Sequence, residues 1–222
     1  MSYRDQVTAE HSRRVADLAV ACAEGHLPIT DCYVLEIAAL LHDIGKVGVP
    51  DAILLKPGKL TAEEWKVMEK HDRIGVEIIR ASFHSAQLTS IVENHHAFYG
   101  MSKNGMPCGV EIPVTARILA IADAYDSMTS DRSYRKGRTP EDAFTELRRC
   151  APAQFDPELV ERFINVIKDR SQHQQATVDG VSKETALQIG MQMERLAQSL
   201  DNQDLDTLNS CLLYTSPSPR DS

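Results

Sequence analysis

The stretch LLHDIGKVGVP, Leu40 to Pro50, sets an imidazole beside a carboxylate, His42 and Asp43, at the end of an apolar run. Gly45 and Lys46 follow at once. Withdrawing either polar group from water is costly unless it is paired or bound to a metal ion. The pattern recurs along the chain. Asp123 interrupts the apolar ILAIADAYD, three residues before Asp126, and His95 and His96 close another apolar segment. With His11, His71 and His84 these residues place polar groups repeatedly where apolar helices terminate. Such placement predicts side chains converging on one interior site.

Imidazoles and carboxylates without thiolates suit iron, manganese, nickel or zinc better than calcium or magnesium alone. The set exceeds what one tetrahedral ion requires. A carboxylate such as Asp43 can bridge two ions about 3.5–4 Å apart, the separation of two-metal hydrolytic sites. The five cysteines are scattered and form no CxxC pair, which argues against thiolate zinc sites and a disulfide scaffold.

The elements that must carry these groups are helical. Val7, Val15, Leu18 and Ala19 recur at helical spacing. A second helix, predicted over Asp31 to Asp43, is apolar nearly all around and is expected to be central and buried. Thr61 with Glu64 forms a capping-box pattern opening a helix through Lys70. Another is expected from about Ser85 to His95, and a strongly apolar one after Pro113. Thr139-Pro140 and Asp156-Pro157 each present an N-cap followed by proline at the first helical position. Tyr99 to Val110, rich in Gly, Asn, Ser and Pro, reads as a loop. No alternating strand pattern persists, so the expected fold is all-α, with one domain over residues 1–170. Residues 171–184 read as a polar linker. Residues 185–209 read as an amphipathic helix of a further, truncated module, and residues 210–222 as a non-native tail.

Composition excludes other classes. The chain is 42% hydrophobic and 25% charged with net charge -8, unsuited to a groove for a nucleic-acid polymer. No apolar run is long enough to insert into a membrane, and the amino terminus lacks a signal-peptide core. A cytoplasmic, reducing location is the expectation.

HDIGK, with HSRRV upstream and ADAYDSM downstream, resembles the HD superfamily of metal phosphohydrolases. The run from LLHDIGK through ENHH to IPVTARILAIADAYDSMTSDRSYR is similar to its HD-GYP branch, which hydrolyses cyclic di-GMP in bacteria. The resemblance covers about His11 to Ile167 and implies an HD-domain helical bundle. It also implies two divalent transition-metal ions, with iron or manganese favoured over nickel or zinc. One would be held by His11, His42, Asp43 and Asp123, the other by His71, His95 and His96, with Asp43 bridging. Some members hold a third ion with a glutamate at the position of Val7, so two ions are expected here. Lys46 matches the lysine that touches the scissile phosphate, and Arg132 and Arg135 the pair that grips substrate phosphates. His84, His26 and His173 match no ligand and are expected on the surface.

Departures from the family pattern fall on the substrate side. Gly105-Met106-Pro107 stands where the family carries Gly-Tyr-Pro, in a loop of altered spacing. Ala97 and Phe98 replace an acidic and a basic residue, and Ser133 replaces a proline. His71 is followed by Asp72 rather than proline. The missing tyrosine removes an aromatic surface for a guanine, leaving Phe98 and Tyr99 nearby. The sequence therefore predicts a dimetal cyclic di-GMP phosphodiesterase yielding pGpG or GMP, with Asp43 and Lys46 in the chemistry. Two alternatives stand beside it: the same chemistry on another cyclic or linear nucleotide, or a metal-bound, inactive sensor module. Expected partners are the cyclic dinucleotide, an upstream receiver or sensor domain, and a second copy in a homodimer.

Overall fold

A computed structural model describes residues 3–102, 105–131 and 136–180. The chain divides into two units, Met1–Asp169 and Arg170–Ser222, and every candidate residue lies in the first. The described residues form helices without strands, as the all-α expectation holds. In order these are α1 (Tyr3–Ala23), α2 (Ile29–Leu41), α3 (Asp51–Leu54), α4 (Ala62–Met68) and α5 (Lys70–Ser82). Then come α6 (Ala86–Asn94), α7 (Val114–Thr129), α8 (Pro140–Gln154) and α9 (Pro157–Gly180).

Local chemistry sets most boundaries. Thr61 accepts from the Glu64 amide while the Glu64 carboxylate accepts from the Thr61 amide, closing the capping box. Ser85 and Thr139 cap α6 and α8 through the amides of Leu88 and Asp142. Asp156 caps α9 through the amides of Glu158 and Leu159, and its other oxygen pairs with Arg117. The capping-box helix stops at Met68, and a separate helix, α5, starts at Lys70. α5 has no counterpart among the helices expected from the sequence. Ser171 to Gly180, read as linker, continues α9 as helix. These residues hold good helix formers such as Gln and Ala, and glycine comes only at the end.

The central helix is α7 rather than α2. It packs against α1, α2, α6 and α8. Ile118, Leu119, Ile121 and Ala122 are fully buried among Val15, Ala19, Leu35, Ala38 and Ile91. Tyr125 stacks on Phe144 and meets Phe163 edge-on, fixing one side of α7 against α8 and α9. Asp123, about 200° around the helix from Tyr125, is thereby turned to the opposite side. α2 buries Cys32, Leu35, Ala38 and Ala39 but leaves Ile29, Tyr33, Ile37 and Leu40 on its outer face. The expectation of a buried α2 fails because, among the described residues, one flank of this helix meets neighbours and the other stays exposed.

Between α2 and α3 the chain makes a 3-10 turn, Ile44–Gly48, that lies directly on α5. Gly45 makes this approach. A methyl group there would collide with the His71 carbonyl and the Gly75 amide nitrogen. Lacking a side chain, Gly45 lets the turn carrying Asp43 and Lys46 sit against the helix carrying His71.

Candidate metal centre

Five helical elements meet at the site. His11 comes from α1, His42 and Asp43 from the end of α2, His71 from the first turn of α5, His95 and His96 from the end of α6, and Asp123 from α7. His42, Asp43, His71 and His95 are buried; Asp123 is half-buried, and His96 keeps 43% of its side chain exposed.

The imidazoles are oriented by a repeated local device. His42, His71 and His95 each donate Nδ1–H to the carbonyl three residues earlier, Ala39, Met68 and Val92, at 2.7, 2.6 and 2.6 Å. A carbonyl only accepts, so the ring proton sits on Nδ1 and the Nε2 lone pair faces inward in the neutral ring. His11 uses a carboxylate instead: Nδ1–H donates to Asp126 Oδ2 at 2.7 Å. Asp126 is held in turn by Arg14, whose Nε and Nη2 donate at 2.6 and 3.1 Å. A carboxylate behind a histidine fixes the ring and raises its basicity as a metal ligand.

The inward-facing atoms form two groups joined by Asp43. His11 Nε2 stands 3.3 Å from Asp123 Oδ1 and 3.8 Å from Asp43 Oδ2, and His42 Nε2 stands 3.4 Å from the same Asp43 oxygen. The other Asp43 oxygen lies 3.5 Å from His71 Nε2. One donor atom from each of His11, His42 and Asp123 lies within 4.8 Å of the others, and likewise for His71, Asp72, His95 and His96. Nε2 of His42, His71 and His95, and Oδ1 of Asp72, are buried without a hydrogen-bond partner. Orphaned buried acceptors that face one another are destabilising as they stand. A divalent cation satisfies them together, so the donor set fits metal.

Electrostatics act differently on each donor. Burial opposes the charged form of Asp43, but His42 and Lys46 outweigh it and hold the carboxyl well below its ordinary range. Asp123 is likewise held low, His11 and His42 overcoming burial. For His11 the order reverses: burial disfavours its charge, yet Asp123 and Asp126 raise it to about 9. Burial, with His96 and His42 nearby, drives His95 down to about 3, so its imidazole is neutral at ordinary pH. Lys46 donates to Asp43 Oδ2 at 2.5 Å and is part-exposed at the rim.

A cavity of about 440 Å³ opens over the His71–His96 group. Trp65, Phe98, Met106 and Phe155 line it with His71, Asp72, His95, His96 and Asp123. Phe98 thus faces the site, while Tyr99 is engaged elsewhere, under the Arg117 guanidinium at 5.9 Å. The altered loop is tied down by Gly100 N–H to Ala153 O and Tyr99 N–H to Gln154 O. Arg132 and Arg135 lie outside the described residues. His26 and His84 are exposed, as expected, and the side chain of His173 is not among those described.

Residues 1–159 match the family model described as HD domain. The chain belongs to the HD domain family. Two relatives place this HD domain further. It is 41% identical over 174 residues to a Thermotoga maritima protein named cyclic di-GMP phosphodiesterase, covering 75% of this chain and 46% of that one. It is 38% identical over 164 residues to the 3'3'-cGAMP-specific phosphodiesterase 2 of Vibrio cholerae, covering 71% and 31%. The chain spans less than half the length of the curated relatives it matches. Among solved structures, the HDG"Y"P protein of Bdellovibrio bacteriovorus aligns with TM-score 0.59 at 19% identity, over 76% of this chain and 55% of that one. The resemblance to the HD-GYP branch is borne out by these matches. Among the described residues no helix is long and apolar enough to cross a membrane.

Three residues of the site escaped the sequence reading of ligands. Arg14 follows His11 by three positions and Asp126 follows Asp123 by three, so each shares a helix face with a ligand, and that spacing was the available signal. Asp72 was noted only as a departure from proline, and its approach to His71 and His96 appears only in the fold.

Proposed function

We propose that the chain is the catalytic domain of a dimetal phosphodiesterase acting on cyclic di-GMP, within a larger cytoplasmic signalling protein. The observation that carries this reading is the pair of donor groups sharing Asp43, with inward Nε2 atoms left unsatisfied. In it, His11, His42, Asp43 and Asp123 hold one ion, and His71, His95 and His96 the second, with iron or manganese preferred. Such ions, when bound, supply Lewis acidity and a water acidified toward neutrality.

The chain's own residues do the rest. Asp43 reaches both groups and fixes their spacing. Lys46, at the rim beside Asp43, is placed to offset charge that builds on phosphate oxygens. Arg132 and Arg135 are assigned to the substrate phosphates on the sequence pattern alone. Trp65 and Phe98 offer aromatic faces for a base, in place of the missing tyrosine. Water attacks phosphorus and the ribose oxygen leaves; one such cut gives pGpG and two give GMP. Residues 1–170 form the catalytic domain in this reading, with a receiver or sensor domain upstream of it. The apolar outer face of α2 is the surface available to such a domain or to a second copy.

The altered loop favours one alternative, a mixed cyclic dinucleotide as substrate, and a relative named for 3'3'-cGAMP supports it. The deciding experiment is hydrolysis of both dinucleotides by protein purified without oxygen and loaded with Mn(II) or Fe(II), beside a His42→Ala/Asp43→Ala variant. Metal-dependent turnover lost in the variant supports the phosphodiesterase, and the ratio of rates assigns the substrate. A chain that binds two ions and turns over neither dinucleotide sinks the reading.

A further inference from the structure

Asp72 is an acidic group at the centre beyond the seven expected ligands, and neither its motif nor the two-ion reading gives it a task. It lies in the first turn of α5, next to His71. Its Oδ1 stands 3.0 Å from His71 Nε2 and 3.5 Å from His96 Nε2. That oxygen is fully withdrawn from solvent and has no hydrogen-bond partner.

The neighbouring atoms explain why this matters. In neutral His71 the ring proton goes to the Met68 carbonyl, so Nε2 presents a lone pair to a carboxylate oxygen that also has only lone pairs. His95 Nε2, on a side chain 1% exposed, is a third acceptor without a partner in the same group. Acceptors at 3.0–3.5 Å with nothing between them repel unless a metal ion, or a proton on His71, lies among them. Separations of 3.0 and 3.5 Å are those of adjacent ligands on one ion, given ligand bonds of about 2.0–2.2 Å.

We infer that Asp72 is a ligand of the second metal ion, completing with His71, His95 and His96 a group of three imidazoles and one carboxylate. The inference rests on the two-ion reading but concerns metal affinity, not turnover. The terminal carboxylate makes the second position more anionic than three imidazoles and a shared Asp43 would be alone. It therefore favours a hard divalent ion such as Mn(II) or Fe(II) there.

The test is calorimetric titration of Mn(II) into the full chain and into Asp72→Asn, Asp72→Glu and Asp72→Ala, with bound metal counted by elemental analysis. Circular dichroism checks folding, and Co(II) visible absorption serves as a second readout of the ligand set. The expected result is two ions in the parent chain. One site should weaken about tenfold or more in Asp72→Asn and Asp72→Ala, with partial recovery in Asp72→Glu and an altered Co(II) band. If Asp72 merely pairs with a protonated His71, its removal leaves Mn(II) binding unchanged or tightens it, which overturns the inference. So does a parent chain that takes up a single ion. Two ions bound, one lost on Asp72→Asn, and no hydrolysis of any cyclic dinucleotide would leave Asp72 a ligand and remove the phosphodiesterase reading instead.

Discussion

Replacing Asp126 by asparagine removes a buried charge that orients His11, a proposed metal ligand. The Asp126 carboxylate is buried and accepts four hydrogen bonds, from His11 Nδ1, Arg14 Nε and Nη2, and Ser130 Oγ. It keeps His11 Nε2 turned toward Asp123 and Asp43. Loss of such a partner typically weakens metal binding about 10–100-fold, or roughly 1.4–2.7 kcal/mol. A second effect opposes the first. In the metal-free chain Asp123 and Asp126 outweigh burial and raise His11 to about 9, so at pH 7 it carries a proton that an incoming ion must displace. Two pH units of competition cost about 2.7 kcal/mol, and Asp126→Asn relieves part of that.

The sign follows from the raised value. Protonated His11 stabilises the metal-free fold fully below about pH 6.5, and that contribution is lost as pH rises through about 9. Metal affinity at the His11 site moves the other way, rising with pH until His11 is neutral and then levelling. In Asp126→Asn the rise should end at lower pH, and the full loss of affinity should show near pH 9. Titration of Mn(II) between pH 6.5 and 9, in buffers of differing ionisation heat, reads both the affinity and the proton released. Identical affinity and identical proton release in the two proteins across that range would refute the role given to Asp126.

Two further outcomes are expected. Gly45→Ala drives a methyl group into the backbone of α5 at His71 and Gly75, so neither partner yields by a rotamer change. The metal-free chain should lose about 2–3 kcal/mol and melt roughly 4–12 °C lower, and both ions should bind more weakly because Asp43 and His71 are displaced together; unchanged melting would show that the turn does not need the close approach. Trp65 is the chain's single tryptophan and stands at the cavity rim, 54% exposed. Cyclic di-GMP should quench its fluorescence, and Trp65→Ala should raise KM by about 5–150-fold, the equivalent of roughly 1–3 kcal/mol of stacking; a KM that does not move would place the base elsewhere in the cavity.

The capping box at Thr61 and Glu64, the caps at Ser85 and Thr139, and the Asp156-Pro157 start of α9 were legible in the sequence. Each depends on atoms within about four positions, and that is the range over which composition and spacing speak. The ordered histidines and aspartates pointed to a metal centre because imidazoles and carboxylates among apolar residues are costly unless paired or bound to an ion. What lay beyond that range needed the packed fold. α2 looked apolar all around, but its burial depended on which flank neighbours covered, and α7 took the central place instead. Arg14 and His11 meet Asp126 across 112 and 115 positions, and no local pattern encodes such a meeting. Asp72 shares a helix turn with His71, yet its approach to His96 depends on how α5 packs beside α6. The sequence by itself determined which donor types are present and where helices begin. The tertiary structure decided which lone pairs converge, because convergence is a property of interhelical packing and requires distant residues to be buried together.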